Sequence, residues 1–199
     1  LNGSARLEIV LMQLVQLVRD GQPVRMSKRT GNAIALHDLL DEVSVDAARF
    51  FFNSRHSASP IEFDLGLAVR NDSENPVYYV PYAHARIKSI LKALAQDNIP
   101  TEVKSADLSL LVEPAELDLI RDLSRLPEEI RQAALQRDPS RLNRYASQVA
   151  TAFHKFYTEC RIKDAAPALR EARILLANCT AAVIANALSC FGVSAPDHM

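Results

Sequence analysis

Four apolar segments with helical periodicity follow one another after residue 113, and they constrain this chain more than anything else in it. They run from about Pro114 to Arg125, Pro127 to Gln136, Pro139 to Lys163 and Pro167 to Phe191. All four open on Pro, at or near the first turn, where its missing N–H leaves no helix hydrogen bond unmade. Phe191-Gly192 supplies the kind of stop that ends a helix. The 199 residues include only 5 Gly and no Trp, and with Ala and Leu abundant that balance favours helix over sheet. Helices joined so closely pack side by side, so the expected fold is mainly α, an antiparallel helical bundle. Leu169, Leu175, Leu176, Val183, Ile184 and Leu188 are expected in its core.

The first third reads differently. Residues 7–18 are densely apolar, and periodicity does not decide between buried strand and buried helix. Arg19-Asp20-Gly21-Gln22 is a turn signal, and Pro23-Val24-Arg25 follows in extended style, so a β-hairpin is expected. A polar loop, Met26 to Asn32, comes next. Leu36, Leu39, Leu40 and Val43 have helical spacing, and Asp46 can cap a second helix that opens on Ala47, Phe50 and Phe51. Arg55 to Pro60 reads as a loop. A helical pattern then runs from Leu65 to Ala95, with a kink or break expected at Pro76 and Pro81. Residues 98–110 form a polar connection.

The formal net charge of −1 excludes a global field that would draw the chain to nucleic acid. Locally the charge is uneven. Residues 97–120 hold six acids against Lys104, a net of −5, and residues 121–173 hold eleven bases against seven acids, a net of +4. A basic stretch of that kind is compatible with a localised phosphate-binding surface. Cys160, Cys179 and Cys190 form no CxxC pair and lie in apolar helical stretches, so buried thiols in a reducing compartment are expected and a metal site is not. No apolar run reads as a membrane span or a signal peptide. The chain begins at Leu1 rather than Met, as a piece of a longer protein does.

Arg25-Met26-Ser27-Lys28 resembles a signature of enzymes that activate a carboxylate with ATP. When a carboxylate attacks ATP, negative charge builds on the departing pyrophosphate. A loop bearing Lys28, Ser27 and backbone N–H groups can close over the phosphates and stabilise that charge. The tetrapeptide resembles the KMSKS signature of class I aminoacyl-tRNA synthetases, with Arg25 in place of the first Lys and Arg29 in place of the last Ser.

Longer stretches narrow the resemblance to arginyl-tRNA synthetases. They are Arg29-Thr30-Gly31-Asn32, Val45 to Phe52, Phe63-Asp64-Leu65, Glu74 to Arg86, Ala152 to Tyr157 and Ala168-Leu169-Arg170. Pro81 stands where Gln is expected, and Pro167 where the DALR signature has its Asp. The resemblance spans essentially the whole chain. It implies residues 1–35 as the end of a catalytic domain, 36–70 as a helical stem-contact segment and 71–199 as a DALR-type anticodon-binding domain. It implies ATP and Mg2+ use by the full-length enzyme, tRNA(Arg) as partner, no DNA or membrane partner, a monomeric parent and a cytoplasmic location. The alternative is the matching piece of a sister enzyme such as the cysteinyl synthetase. The nucleotide-binding sheet, the HIGH motif and the arginine pocket are missing from this sequence, so catalysis by the chain alone is not expected.

Within that resemblance, Arg25, Met26, Ser27 and Lys28 are the expected ATP-binding residues, with Ser27 and Lys28 catalytic. Phe153 and Tyr157, four apart on one helix, can offer rings to unpaired anticodon bases. Arg86 can stack on a base or fork onto a phosphate. Tyr82 and His84 are further candidates, while Tyr78 and Tyr79 read as hydrogen-bonded core. Met199 resembles the family's terminus, which packs into the anticodon site next to Tyr157 and Arg86.

Overall fold

Caps and prolines decide where this chain turns helical. The computed structural model describes residues 9–19, 21–24, 35–72 and 74–199. The hairpin is present: β1 (Val15–Arg19) pairs antiparallel with β2 (Gln22–Pro23), in the register Val18↔Pro23 and Arg19↔Gln22. Helix α1 (Leu36–Glu42) follows, and its Asp38 carboxylate accepts the Ala35 N–H at its start. In α2 (Val45–Phe52) the N-cap is Ser44, whose hydroxyl accepts from the Ala47 N–H. Asp46 is already inside the first turn, so the expected Asp46 cap is displaced by two residues.

The sheet gains a strand that the sequence did not announce. β3 (Ile61–Asp64) lies parallel to β1, giving the order β2-β1-β3. Four residues are too few to show period-two alternation above noise. Asp64 then caps the short helix α3 (Leu65–Ala68) through the Gly66 and Leu67 N–H groups. The expected break falls before Pro76. Asn75 caps α4 (Pro76–Gln96) through the Val77 N–H, with Pro76 at the first helical position. Pro81 sits inside α4 and does not end it.

After one 3-10 turn at Leu108–Leu110, the bundle is completed by α5 (Pro114–Ser124), α6 (Leu126–Gln136), α7 (Ser140–Glu159) and α8 (Pro167–Ser189). These match the four segments expected from the periodicity, except that α7 stops four residues early. Helix α8 is also long and apolar enough to cross a membrane by composition, contrary to the first reading. Its apolarity has another cause: it packs against α4, α5 and α7, and 56% of its most apolar window is buried. Of the expected core stripe, Leu176, Ile184 and Leu188 are buried, and Leu169, Leu175 and Val183 are half-buried.

Two cores result. The bundle core holds Ile87, Leu119, Phe153, Phe156, Ile174 and Leu188, while a smaller core under the sheet holds Leu17, Leu39, Phe51, Phe63 and Leu65. Helix α2 serves both: Phe50 enters the bundle and its neighbour Phe51 the small core.

The charge asymmetry largely folds onto itself. Asp118 pairs with Arg121 and Lys155, Asp97 with Lys163, and Glu116 with Arg173. Glu129 bridges Arg125 and Arg141, while Glu128 pairs with Arg131 and Asp138 with Arg144. Cys160 is buried as expected, but Cys179 and Cys190 are exposed, on the outer side of α8 and at its end.

Candidate nucleic-acid interface

Tyr78, Tyr82 and Arg86 recur every four residues of α4 and so form one ridge. The Tyr78 and Tyr82 rings stack at 5.6 Å and 16°. On one flank of this ridge lies α7. His154 packs 5.1 Å from the Tyr79 ring and 6.2 Å from the Tyr82 ring, the latter at 22°. Further along, Arg86 Cζ lies 5.6 Å from the centre of the Tyr157 ring, a cation–π pair. Tyr157 in turn stacks on Phe153 at 6.1 Å. Beyond that pair a hollow of about 390 Å³ opens between Arg86, Ile90, Tyr157, Arg161, Ile162 and Lys163.

On the other flank lies the C-terminal tail. Gly192, at φ +72°, turns the chain out of α8, and the Val193 N–H returns to Leu188 O at 3.1 Å. A Cβ at Gly192 would sit 2.7 Å from the Arg49 guanidinium, which donates to the Gly192 carbonyl at 2.7 Å. Ser194 donates both its N–H and its hydroxyl to the Asp46 carboxylate. His84, only 5% exposed, donates Nδ1–H to Pro196 O at 2.9 Å. Asp197 lies 3.8 Å from Lys88 Nζ. So held, Met199 reaches a hollow it shares with Ser44, Asp46, Asn75, Tyr78 and Pro81.

The candidates sort as follows. Tyr82, packed against Tyr78 and His154, and Tyr157, packed against Phe153 and Arg86, are half-buried, and Arg86 and Met199 are exposed. Phe153 is 0% exposed and supports Tyr157 from within the core, so it offers no face to a ligand as placed. His84 is likewise turned inward and holds the tail. Met199 does not adjoin Tyr157 and Arg86 as expected. It meets the ridge at Tyr78, about 12 Å along the helix from Arg86 at 1.5 Å per residue. Tyr78 was missed as a site residue, although the spacing of Tyr78, Tyr82 and Arg86 is visible in the sequence. Tyr79 does donate to Thr151 Oγ1, at 3.4 Å, as a core-like tyrosine should. Arg25, Met26, Ser27 and Lys28 lie outside the described residues.

Burial, and then the nearby Arg86 charge, hold the His154 pKa below the ordinary histidine value. At the hollow beside Arg86 and Tyr157, side-chain hydrogen bonding and charge from Asp97 raise the Lys163 pKa. Among the described residues no group of His, Cys, Asp or Glu gathers closely enough to hold a metal ion.

A ridge of stacked tyrosines leading to an arginine, at the edge of a helical bundle, has the makings of a surface for unpaired bases. Residues 80–199 match the family described as the DALR anticodon binding domain. The chain belongs to that family.

Over 195 residues it is 50% identical to the arginine–tRNA ligase of Acetivibrio thermocellus and 51% identical to that of Caldanaerobacter subterraneus. Each alignment covers 98% of this chain and 35% of the relative, so the chain spans about a third of the length of the curated relatives it matches. A crystal structure from Campylobacter jejuni, described as an arginyl-tRNA synthetase, superposes with a TM-score of 0.85 at 33% identity, over 96% of this chain and 41% of that one. The Thermus thermophilus arginyl-tRNA synthetase superposes at 0.76 over 92% of this chain and 34% of its own, and at 23% identity it speaks for the fold alone.

Proposed function

We propose that this DALR-family chain is the tRNA(Arg) anticodon-binding part of an arginine–tRNA ligase. That enzyme attaches arginine to tRNA(Arg) while ATP becomes AMP and pyrophosphate. The observation that carries the reading is the ridge Tyr78-Tyr82-Arg86, flanked by Tyr157 and Met199, on a helix that runs into the segment matching the family. An anticodon is a short single-stranded loop whose bases can leave the stack and lie on aromatic faces. Each such contact is worth about 1–3 kcal/mol. The sister cysteinyl reading is not favoured, because relatives at about half identity are arginine–tRNA ligases.

In this reading residues 1–35 end a catalytic domain, 36–70 form a stem-contact segment and 71–199 bind the anticodon. Lys28 and Ser27, with Arg25 and Met26, act on the ATP phosphates only when the rest of the ligase is present. The parent works as a cytoplasmic monomer, with Mg2+ accompanying ATP. Because many bases between residues 121 and 173 already have carboxylate partners within the fold, few phosphate contacts are expected from them. Binding should then weaken only gently with salt, by a log–log slope of about 0.7 per phosphate met.

The test is a titration of the chain with tRNA(Arg), and with the same tRNA carrying a replaced anticodon. The replaced anticodon should bind at least tenfold more weakly. Equal affinity for both would remove the anticodon from the reading.

A further inference from the structure

His154 is the one candidate-face residue whose chemistry the reading above leaves unused. Its Nε2 is sealed from solvent and has no hydrogen-bond partner, an arrangement folded proteins rarely keep without cause. Its ring is nevertheless well occupied, packed against Tyr79, Tyr82 and Phe153 at 5.1, 6.2 and 5.6 Å. The groups that face it are Tyr79, Tyr82 and Arg86 from α4, with Phe153 from its own helix. The charge acting on it is that of Arg86, which has the same sign as an imidazolium. The sandwich therefore suits a neutral plate and repels a protonated one.

We propose that His154 is a positioning residue for RNA binding, a neutral aromatic plate that holds Tyr82 and Tyr79 in place and lets that face loosen when it takes up a proton. The proposal rests on the anticodon-binding reading. Its sign is unusual. Added positive charge ordinarily strengthens RNA binding. Here protonation places a second cation beside Arg86, inside an aromatic stack with no polar partner for Nε2. The ring must swing toward water, and Tyr82 loses its support. The neutral form is favoured in the folded state. The stabilisation is therefore complete above the ordinary histidine value of about 6.5, and it is lost as the pH falls below it.

The chain itself supplies a reporter. It has no Trp and 5 Tyr, and of these Tyr78, Tyr79, Tyr82 and Tyr157 lie on this face, so intrinsic fluorescence reads the stack almost alone. The experiment compares wild type, His154→Ala and His154→Phe between pH 7.5 and 5.5, by tyrosine fluorescence and by affinity for tRNA(Arg). Wild type should lose affinity severalfold on acidification, with a fluorescence transition in the same range. His154→Ala should bind weakly at every pH. His154→Phe should recover most of the affinity lost in His154→Ala and show neither pH effect. Two results overturn the proposal: affinity in wild type that rises on acidification, or a His154→Phe profile that still follows wild type. If no variant binds tRNA at any pH, the anticodon reading fails. The fluorescence titration then still decides the plate: a transition in wild type that is absent from His154→Phe upholds it, and identical titrations sink it.

Discussion

The most deeply placed charge in the bundle is a single ion pair, and cutting it should cost more than any other surface-looking substitution in this sequence. Glu116 is 0% exposed. One carboxylate oxygen accepts from Arg173 Nε at 2.7 Å, and the other accepts from the Glu113 N–H at 2.9 Å at the start of α5. Arg173 spends a second donor on Arg161 O, also at 2.7 Å. The pair thus fastens α5 to α8 and fixes the turn that carries Arg161, Ile162 and Lys163 to the hollow beside Tyr157. Arg173→Met keeps most of the side-chain volume but leaves a buried carboxylate without its cation. Breaking one half of such a pair costs about 3–5 kcal/mol. At about 2–4 °C per kcal/mol for a chain of this size, the melting temperature should fall by roughly 6–20 °C.

The double variant Glu116→Leu/Arg173→Met removes both charges. It leaves only the Glu113 N–H and the Arg161 carbonyl without partners, about 1 kcal/mol each. It should therefore melt closer to wild type than Arg173→Met does. The assay is calorimetry on wild type, both singles and the double, combined as a cycle. The reasoning is refuted if Arg173→Met costs less than about 1 kcal/mol, or if the two substitutions prove additive.

Three further outcomes are expected. Phe50→Ala should destabilise the chain by about 3–5 kcal/mol in denaturant titration, since its ring is 0% exposed, and Asn143 holds its carbonyl at 2.9 Å. Under native conditions an alkylating reagent should label Cys179 and Cys190 quickly and Cys160 only as the protein unfolds. Burial, helped by the Glu116 charge, raises the Cys160 pKa and keeps its thiolate scarce; equal labelling by mass spectrometry would count against the bundle packing. Arg86→Ala and Tyr157→Ala should each weaken tRNA(Arg) binding about five- to a hundredfold, with the melting temperature little changed. An unaffected affinity would place the RNA elsewhere.

What the sequence made legible follows from how each signal is encoded. The bundle was readable because helix periodicity, prolines at first turns and the Gly192 stop are local features that tertiary packing did not overrule. Strand β3 was not, because its identity lies in its pairing with β1 and not in the four residues themselves. The basic stretch was legible only as a count, for a related reason. Counting Arg and Lys between residues 121 and 173 says nothing about the carboxylates of residues 97–118 that fold against them. The tyrosine ridge could have been found: Tyr78, Tyr82 and Arg86 announce a shared face by spacing alone. No spacing rule reveals that Phe153 and His84, from the same quoted motifs, point inward, because that depends on where α7 and the tail lie.

The tail shows how these parts become one device. Met199 is exposed and lies at the end of a non-helical tail, which by itself would fray. It is placed by side chains far away in sequence: Asp46 and Arg49 of α2, and His84 of α4. Helix α2 is also the element whose Phe51 packs against Phe63 of β3, at 5.2 Å between ring centres. The helix that stations the tail beside Tyr78 is therefore the same one that seals the sheet from which the chain departs at Val24, just before Arg25-Met26-Ser27-Lys28. A shift of α2 by even one side-chain width would have to be absorbed by both cores at once, because Phe50 and Phe51 are adjacent residues locked in different ones. Close-packed interiors do not stretch to accommodate such a shift. The end of the chain and the small β-sheet are thus held in fixed relation through eight residues of helix.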